Sequence, residues 1–252
     1  MQAMRVPLFF LAAGTLLAQH GYSPADIEEG GRLYRASCVV CHGPDGDALP
    51  NVDLAHAKFR RASSDEEAVQ IILKGIPGTG MPPNAFLNEF QADAIVAYLH
   101  DAASGPARKS ALSGDASRGK TLFESRGCRN CHRVQGNGSR LGPELTDIGA
   151  QRRAVEIERS ILDPDAEIVP QNRFIRVVTR DGTTITGRLL NVDTFTIQML
   201  DSSERLVSFA KSNLRNYAVL EKSPMPSYRD KLNPQELADL VAYLASRKGI
   251  DK

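Results

Sequence analysis

All four cysteines of this chain stand in two short motifs, and each motif ends in a histidine. The motifs are Cys38-Val39-Val40-Cys41-His42 and Cys128-Arg129-Asn130-Cys131-His132. A Cys-x-x-Cys-His motif is the attachment signature of c-type haem. In such a site the two thiols are bonded to one porphyrin, and the adjacent imidazole is an axial ligand of its iron. Histidine accounts for only 5 of 252 residues, so chance does not explain why both cysteine pairs are followed by one.

Zinc binding and thiol redox chemistry fit the two motifs less well. The cysteine pairs of a zinc ribbon are about 15–20 residues apart, whereas Cys41 and Cys128 are separated by far more. A thioredoxin-like pair expects a βαβ context, which neither motif has. The sequence therefore predicts two covalently bound haem c groups. Their predicted ligands are the thiols of Cys38, Cys41, Cys128 and Cys131 and the imidazoles of His42 and His132.

The first eighteen residues have the pattern of an export signal. Arg5 precedes an apolar run over residues 6–17, and Ala18 ends a small-residue cleavage site. The apolar run is too short to cross a bilayer as a helix. We therefore expect a signal peptide over residues 1–18 and a periplasmic mature chain without a membrane span.

The rest of the sequence repeats one plan twice. A helix leads into each motif, with cap residues at Ser23 and Asp115, and a helix containing Ala-Tyr-Leu closes each copy at Leu99 and Leu244. We expect a first domain over residues 19–104, a linker over 105–114 and a second domain over 115–250.

A methionine followed by proline precedes each closing helix, at Met81 and Met225. Proline holds the preceding residue in an extended conformation, and a thioether that reaches the iron opposite histidine needs such a stiff loop. Either methionine could instead fill a core, but their recurrence at one place in the repeat favours ligation. We predict Met81 and Met225 as the distal iron ligands.

Residues 166–220 interrupt the second copy with strand-like sequence. Two alternating runs flank Asp181-Gly182, a dipeptide typical of a tight hairpin, and two further strands are predicted over 194–200 and 204–210. Alternation puts Phe195, Ile197 and Met199 on one face, which makes Met199 a predicted core residue rather than a ligand. The predicted fold is mainly α, with a small antiparallel β-module inserted outside the second haem fold.

Other side chains compete for roles at these sites. His56 and His100 are alternative axial ligands. Arg60-Arg61 and Arg152-Arg153 could pair with haem propionates, because arginine binds carboxylates through two hydrogen bonds. Solvated surface is the simpler interpretation of both arginine pairs.

The order of helix, haem motif, proline-rich methionine loop and Ala-Tyr-Leu helix resembles class I cytochrome c, once in each half. In that family a proline after the motif offers its carbonyl to the proximal histidine. Pro143 matches this proline in the second half, whereas Pro44 and Pro50 remain alternatives in the first.

The second half, from about residue 115 to 248, is also similar to a family of haem-binding cytochrome c domains known mainly from planctomycetes, which carry an inserted β-module. The segments Ser160-Ile-Leu-Asp-Pro164 and Thr179-Arg-Asp-Gly182 carry this resemblance. Members often occur fused to quinoprotein-like sugar dehydrogenases. The resemblance implies that such a dehydrogenase would here be a separate chain.

The expected function is electron transfer between periplasmic or membrane redox partners, such as a dehydrogenase, an oxidase or another cytochrome. Histidine–methionine ligation saturates the iron, so we expect no enzyme activity. Two alternatives remain open: a di-haem enzyme such as a peroxidase, or the cytochrome subunit of a quinoprotein dehydrogenase. The net charge of +1 does not indicate a nucleic-acid partner.

The two motifs predict two covalent haems in each polypeptide. A pyridine haemochrome assay on the denatured protein should give a haem-to-chain ratio of two, and acid–acetone should extract neither haem. A ratio of one, or haem that is lost to acid–acetone, would contradict the prediction.

Overall fold

The computed structural model describes residues 21–57, 59–104 and 113–249. The predicted signal peptide and most of the predicted linker lie outside these residues, so the domain boundaries stay a prediction. In the described part of the chain, no helix is both long and apolar enough to cross a membrane.

The described helices fall into an N-terminal half (residues 21–104) and a C-terminal half (residues 113–249). The N-terminal half contains α1 Pro24–Ser37, α2 Val39–His42, α3 Asp65–Lys74 and α4 Glu89–Ser104. The C-terminal half contains α5 Ala116–Ser125, α6 Ile148–Gln151, α7 Ala154–Leu162 and α8 Pro234–Ala245.

The predicted helix starts are confirmed by their capping hydrogen bonds. The Ser23 hydroxyl accepts from the Asp26 amide, and the Asp26 carboxylate accepts from the Ser23 amide. Asn233 and Glu236 form the same reciprocal pair at the start of α8. Each pair satisfies amides that an isolated helix end leaves without partners.

The first and last helices of each half cross at a glycine. A Cβ atom at Gly30 of α1 would lie 1.8 Å from the carbonyl oxygen of Ala94 in α4. A Cβ atom at Gly119 of α5 would lie 2.0 Å from the carbonyl oxygen of Asp239 in α8. Only glycine permits such an approach of two backbones.

An aromatic pair packs beside each of these crossings. The ring centroids are 5.3 Å apart for Tyr34 and Tyr98, and 5.7 Å apart for Phe123 and Tyr243. Each first-helix aromatic is four residues after its crossing glycine. The crossing and the aromatic pair therefore form one packing unit that occurs twice.

Five strands form an antiparallel sheet within residues 166–220. They are β3 Phe174–Thr179, β4 Thr184–Val192, β5 Thr196–Asp201, β6 Leu206–Ala210 and β7 Leu214–Val219, following a short two-stranded ribbon of β1 Arg133–Val134 and β2 Asn137–Gly138. The order across the sheet is β6-β5-β4-β3-β7. Strand β7 was not among the predicted strands; it returns to pair with β3, along the edge that the hairpin leaves open.

The sheet has its own core. Ile175, Val177, Ile197 and Met199 are fully buried, and the partly buried apolar side chains that pack on them belong to the sheet region. The prediction that Met199 is a core residue is therefore confirmed. The placement of Phe195 on the same face was wrong, because this residue lies in the turn before β5 and is 77% exposed.

The buried apolar side chains of the described residues form three clusters, one in each helical half and one in the sheet. The helices fit two cytochrome c-type folds. The prediction of a mainly α chain is confirmed only in part, because the five-stranded sheet is a substantial unit with a separate core.

The carboxylate of Asp239 in α8 binds the start of α5, the other helix of the C-terminal pair. It is 3% exposed and accepts hydrogen bonds from the Asp115 amide at 2.7 Å and from Arg118 Nε at 2.7 Å. Chiefly because of the Arg118 guanidinium, the pKa of Asp239 is well below its usual range. The first half has Ala94 at the corresponding crossing position.

A carboxyl group whose pKa is lowered by folding stabilises the folded state at pH values above its unfolded pKa of about 4. This stabilisation is lost as the pH falls towards the pKa of the folded state. We therefore expect Asp239→Asn to destabilise the C-terminal half at pH 7 and to weaken its loss of stability in acid. Urea unfolding between pH 3 and pH 7 measures both effects. Asp230→Asn, at an exposed position before α8, is the control; the same pH profile for both variants would contradict the assignment.

Candidate haem sites

The two Cys-x-x-Cys-His motifs share two backbone hydrogen bonds, although the first lies in the short helix α2 and the second in a 3-10 turn over Cys128–Asn130. The amide of His42 donates to the carbonyl of Cys38 at 2.9 Å, and the amide of His132 donates to that of Cys128 at 2.9 Å. In both motifs the second cysteine amide donates to the first cysteine carbonyl at 3.2 Å. The first motif begins directly after α1, and the second begins after α5 and two intervening residues, Arg126 and Gly127.

The four thiols are free, and their exposure repeats as well. Cys38 and Cys128 are half-buried against the cores of their halves, whereas Cys41 and Cys131 are exposed. Burial raises the pKa of Cys38 to about 11 and also raises the pKa of Cys128. One thiol of each pair therefore faces the core of its half and the other faces solvent.

Burial lowers the pKa of both motif histidines. A lowered imidazole pKa favours the neutral form, which is the form that binds a metal. His42 and His132 are thus suited to ligation at neutral pH.

The Pro143 carbonyl orients the ring of His132. It lies 3.0 Å from His132 Nδ1, as the family resemblance implies. With Nδ1 donating to this carbonyl, Nε2 is left with its lone pair for a metal. Gly142 packs against the same ring, since a Cβ there would lie 2.9 Å from His132 Nδ1.

His42 lacks the corresponding contact. Its Nδ1 is buried without a hydrogen-bond partner, so neither Pro44 nor Pro50 offers it a carbonyl in this structure. The Gly43 carbonyl next to it accepts from the Tyr34 hydroxyl at 2.8 Å instead. The two halves therefore differ on the proximal side of their candidate sites.

The methionine loops share a feature that the sequence analysis missed. The amide of Met81 donates to the Thr79 hydroxyl at 3.2 Å, and the amide of Met225 donates to the Ser223 hydroxyl at 3.2 Å. A hydroxyl two residues before each Met-Pro was visible in the sequence and could have been found by aligning the two loops. Both methionines are half-buried, and Met225 packs on the same core cluster as Cys128.

The competing histidines are paired with carboxylates. His56 Nδ1 lies 2.7 Å from Asp53, and His100 Nε2 lies 2.7 Å from Asp65. These contacts give both histidines a role apart from ligation.

The Arg152-Arg153 pair lies between the two halves. Arg153 is 7% exposed; its guanidinium stacks 3.5 Å from the centroid of the Tyr98 ring and its Nε donates to the Tyr98 hydroxyl at 2.6 Å. Arg152 pairs with Glu167 at 3.1 Å. These contacts supply an alternative to the propionate role that the sequence allowed.

Arg35 of α1 completes this inter-half cluster. Its two terminal nitrogens contact Glu156 of α7 at 2.5 Å and Glu167 at 2.6 Å. The arginine side chain is 15% exposed. The cluster borders a cleft of about 370 Å³ that is lined by residues of both halves.

The described residues fit two covalently bound haems. Each half supplies a core-facing thiol, an exposed thiol and an imidazole that burial keeps neutral. In the C-terminal half the Pro143 carbonyl also fixes the imidazole tautomer that leaves Nε2 free. In the N-terminal half the buried, unpaired His42 Nδ1 is a donor or acceptor that still needs a partner.

Comparison with known families identifies both halves separately. Residues 25–99 match the family model described as cytochrome C oxidase, cbb3-type, subunit III, and residues 116–182 match the model described as cytochrome c. Two cytochrome c-type segments thus lie in tandem. They imply covalently bound haem c, and a count of two haems agrees with two segments. The second match ends in the β3–β4 hairpin and does not extend to Met225.

Curated relatives point in the same direction. The chain is 32% identical over 146 residues to a cytochrome bc1 complex cytochrome c subunit of Mycobacterium leprae, which covers 50% of this chain and 48% of the relative. It is 28% identical over 133 residues to a Cbb3-type cytochrome c oxidase subunit CcoP of Helicobacter pylori, covering 50% and 44%. The chain spans about half the length of these relatives.

A smaller relative matches over a shorter stretch. Cytochrome c-551 of Bacillus subtilis is 33% identical over 79 residues, covering 31% of this chain and 64% of the relative. Together the similarities support a cytochrome c-type, haem-binding protein of electron transfer. They do not bear on the planctomycete-type resemblance of the second half.

Gly142 is expected to be intolerant of a side chain. In Gly142→Ala the new Cβ would lie 2.9 Å from His132 Nδ1 and 3.0 Å from the Cys131 carbonyl, so the loop must move away and weaken the His132–Pro143 hydrogen bond. We expect a loss of about 1–3 kcal/mol in the C-terminal half. Hydrogen–deuterium exchange of peptides within residues 128–145 measures it.

Gly21→Ala is the control for this substitution, because a Cβ at Gly21 meets no atom within 4 Å. It should leave the exchange of the same peptides unchanged. Equal exchange in Gly142→Ala and the parent protein would show that the loop does not depend on close contact with the histidine ring.

Proposed function

We propose that this chain is an exported di-haem electron carrier with one His/Met-ligated haem in each half. His42 and Met81 would hold the first iron and His132 and Met225 the second. Electrons would pass between periplasmic or membrane redox partners, such as a dehydrogenase, an oxidase or another cytochrome. The observation that carries the proposal is the pair of backbone hydrogen bonds that both Cys-x-x-Cys-His motifs share, together with the repeated hydroxyl contact in the two methionine loops.

The protein's own residues have separate tasks in this function. The thiols would anchor the porphyrin, and burial keeps the imidazoles neutral. Thr79 and Ser223 hold the two methionine amides and so set the direction of the loops. When bound, the haems supply one-electron exchange between ferric and ferrous iron.

Full axial ligation favours a carrier over an enzyme. If methionine holds each sixth position, a substrate such as peroxide has no vacant site on the iron. The di-haem peroxidase alternative requires one of the two methionines to be absent from the iron or easily displaced. Spectra of the methionine variants distinguish the two functions.

The contacts between the halves support transfer within the chain. Helix α2, which carries the first motif, lies against α6 of the C-terminal half. Helix α6 begins five residues after Pro143, whose carbonyl contacts His132. The first motif and the segment after Pro143 therefore lie close to the same interface, where Arg35 and Arg153 also join the two halves.

Substitution of each methionine tests the ligand assignment. Met81→Ala and Met225→Ala should each make one of the two irons high-spin, and each should remove about half of the weak far-red absorption of methionine-ligated ferric haem. Optical and EPR spectra of the oxidised protein measure both changes. Met199→Leu, at the fully buried sheet position, is the control and should leave the spectra unchanged.

An unchanged spin state in either variant would remove that methionine from the ligand set. A high-spin iron in the unmodified protein would favour the peroxidase alternative.

A further inference from the structure

The five-stranded sheet touches the loop that holds His132. Arg188 of β4 donates from Nη1 to the carbonyl of Arg140 at 2.8 Å and to that of Gly142 at 3.4 Å. The Gly142 amide in turn donates to the Cys131 carbonyl at 2.6 Å. Arg188 thus contacts Gly142, and Gly142 packs on the ring of His132.

A second contact joins the same loop to the turn between β5 and β6. Arg140 Nε lies 3.1 Å from the Glu204 carboxylate, and Arg140 Nη2 donates to the Glu204 carbonyl at 3.2 Å. Hydrogen bonds from Ser139 and Arg140 hold the pKa of Glu204 below its usual value. The turn is therefore bound to the loop through side chain and backbone together.

Glu204 has a backbone conformation that requires compensation. Its φ of 58° is in the left-handed region, which costs a non-glycine residue about 1 kcal/mol or more. Such a conformation persists where surrounding contacts over-determine it. The two hydrogen bonds from Arg140 are contacts of this kind, and they hold the carboxylate and the carbonyl of Glu204 against the loop.

The face of the sheet that carries Arg188 also contains a buried residue. Leu200 pairs with Arg188 across β4 and β5 and alternates with the core residue Met199, so it points away from the sheet's own core. Leu200 is nevertheless only 8% exposed. Arg188 Nε is buried without a hydrogen-bond partner, so its guanidinium depends on the loop carbonyls for its acceptors.

We infer that Arg188 and Glu204 are positioning residues for His132. Their hydrogen bonds clamp the loop of residues 139–143 against the sheet. In this position Gly142 packs on the imidazole, and the Pro143 carbonyl accepts a hydrogen bond from Nδ1. The sheet thus forms part of the proximal wall of the second haem site, and the N-terminal half has no equivalent among its described residues. The inference rests on the proposed function in taking His132 as an iron ligand.

The clamp accounts for the difference between the two histidines. His132 Nδ1 has a fixed acceptor, whereas His42 Nδ1 has none. The imidazole whose N–H is held by a carbonyl is the more basic ligand. The two irons would therefore have different reduction potentials, and substitution of Arg188 should change only the second.

The test uses the haem-loaded full chain and three variants. Arg188→Met removes the donor, Arg188→Lys keeps the charge but changes the hydrogen-bond geometry, and Arg180→Met removes an equal charge from the turn between β3 and β4. Arg180 donates to the Ser212 carbonyl and is exposed, so it serves as the matched control.

Amide exchange at Gly142 and proton exchange at His132 Nδ1, both followed by NMR, are the main readouts. We expect both Arg188 variants to accelerate these exchanges by about tenfold or more, because a buried hydrogen bond from a charged group is lost. A redox titration should show a shift of one midpoint potential only. Arg180→Met should match the parent protein in every measurement.

The outcomes separate the inference from the function on which it rests. If both haems are present and the Gly142 and His132 exchange rates of Arg188→Met equal those of the parent, the clamp does not exist. If Arg180→Met accelerates the exchanges as much as Arg188→Met does, the effect is one of charge rather than positioning, and the inference is wrong. A haemochrome ratio below two in the parent would contradict the proposed function instead; the Gly142 amide would still report the clamp.

Discussion

The close crossing of first and last helices is the contact on which each half depends. At Gly30 and Gly119 the two backbones approach until no side chain fits between them. An aromatic pair next to each crossing fills the space that the helices leave. Because each haem motif begins within three residues of the end of the first helix, this crossing determines where the cysteines and the histidine lie relative to the core.

Ionic contacts specify how the two halves meet. Arg35 binds two glutamates of the C-terminal half, and Arg153 stacks on Tyr98 of the N-terminal half. The cost of removing such charges from water can offset most of their attraction, so they contribute little to stability as a group. They do disfavour arrangements of the two halves in which the same charges would be buried without their partners. The interface therefore specifies the relative position of the two halves, and with it that of the candidate haem sites, more than it adds to their stability.

The sheet has its own core and also makes a specific contact with the loop beside His132. Its fully buried residues pack within the sheet region, as expected of a unit that can be inserted into a loop. Its outer face nevertheless supplies Arg188, which donates to the loop that packs on His132. The β-module was predicted to lie outside the haem fold, and the described contacts make this separation incomplete.

The sequence by itself determined the chemistry and most of the helices. The two Cys-x-x-Cys-His motifs, the caps at Ser23 and Asn233, and the β3–β4 hairpin depend on neighbours along the chain, so local patterns were sufficient to predict them. The tertiary structure alone decided which residues meet across long distances. Strand β7, the Tyr98–Arg153 contact and the Arg188–Gly142 contact join positions that are far apart in sequence. No local pattern encodes such pairs, because their free energy depends on desolvation and on partners that only the folded chain brings together.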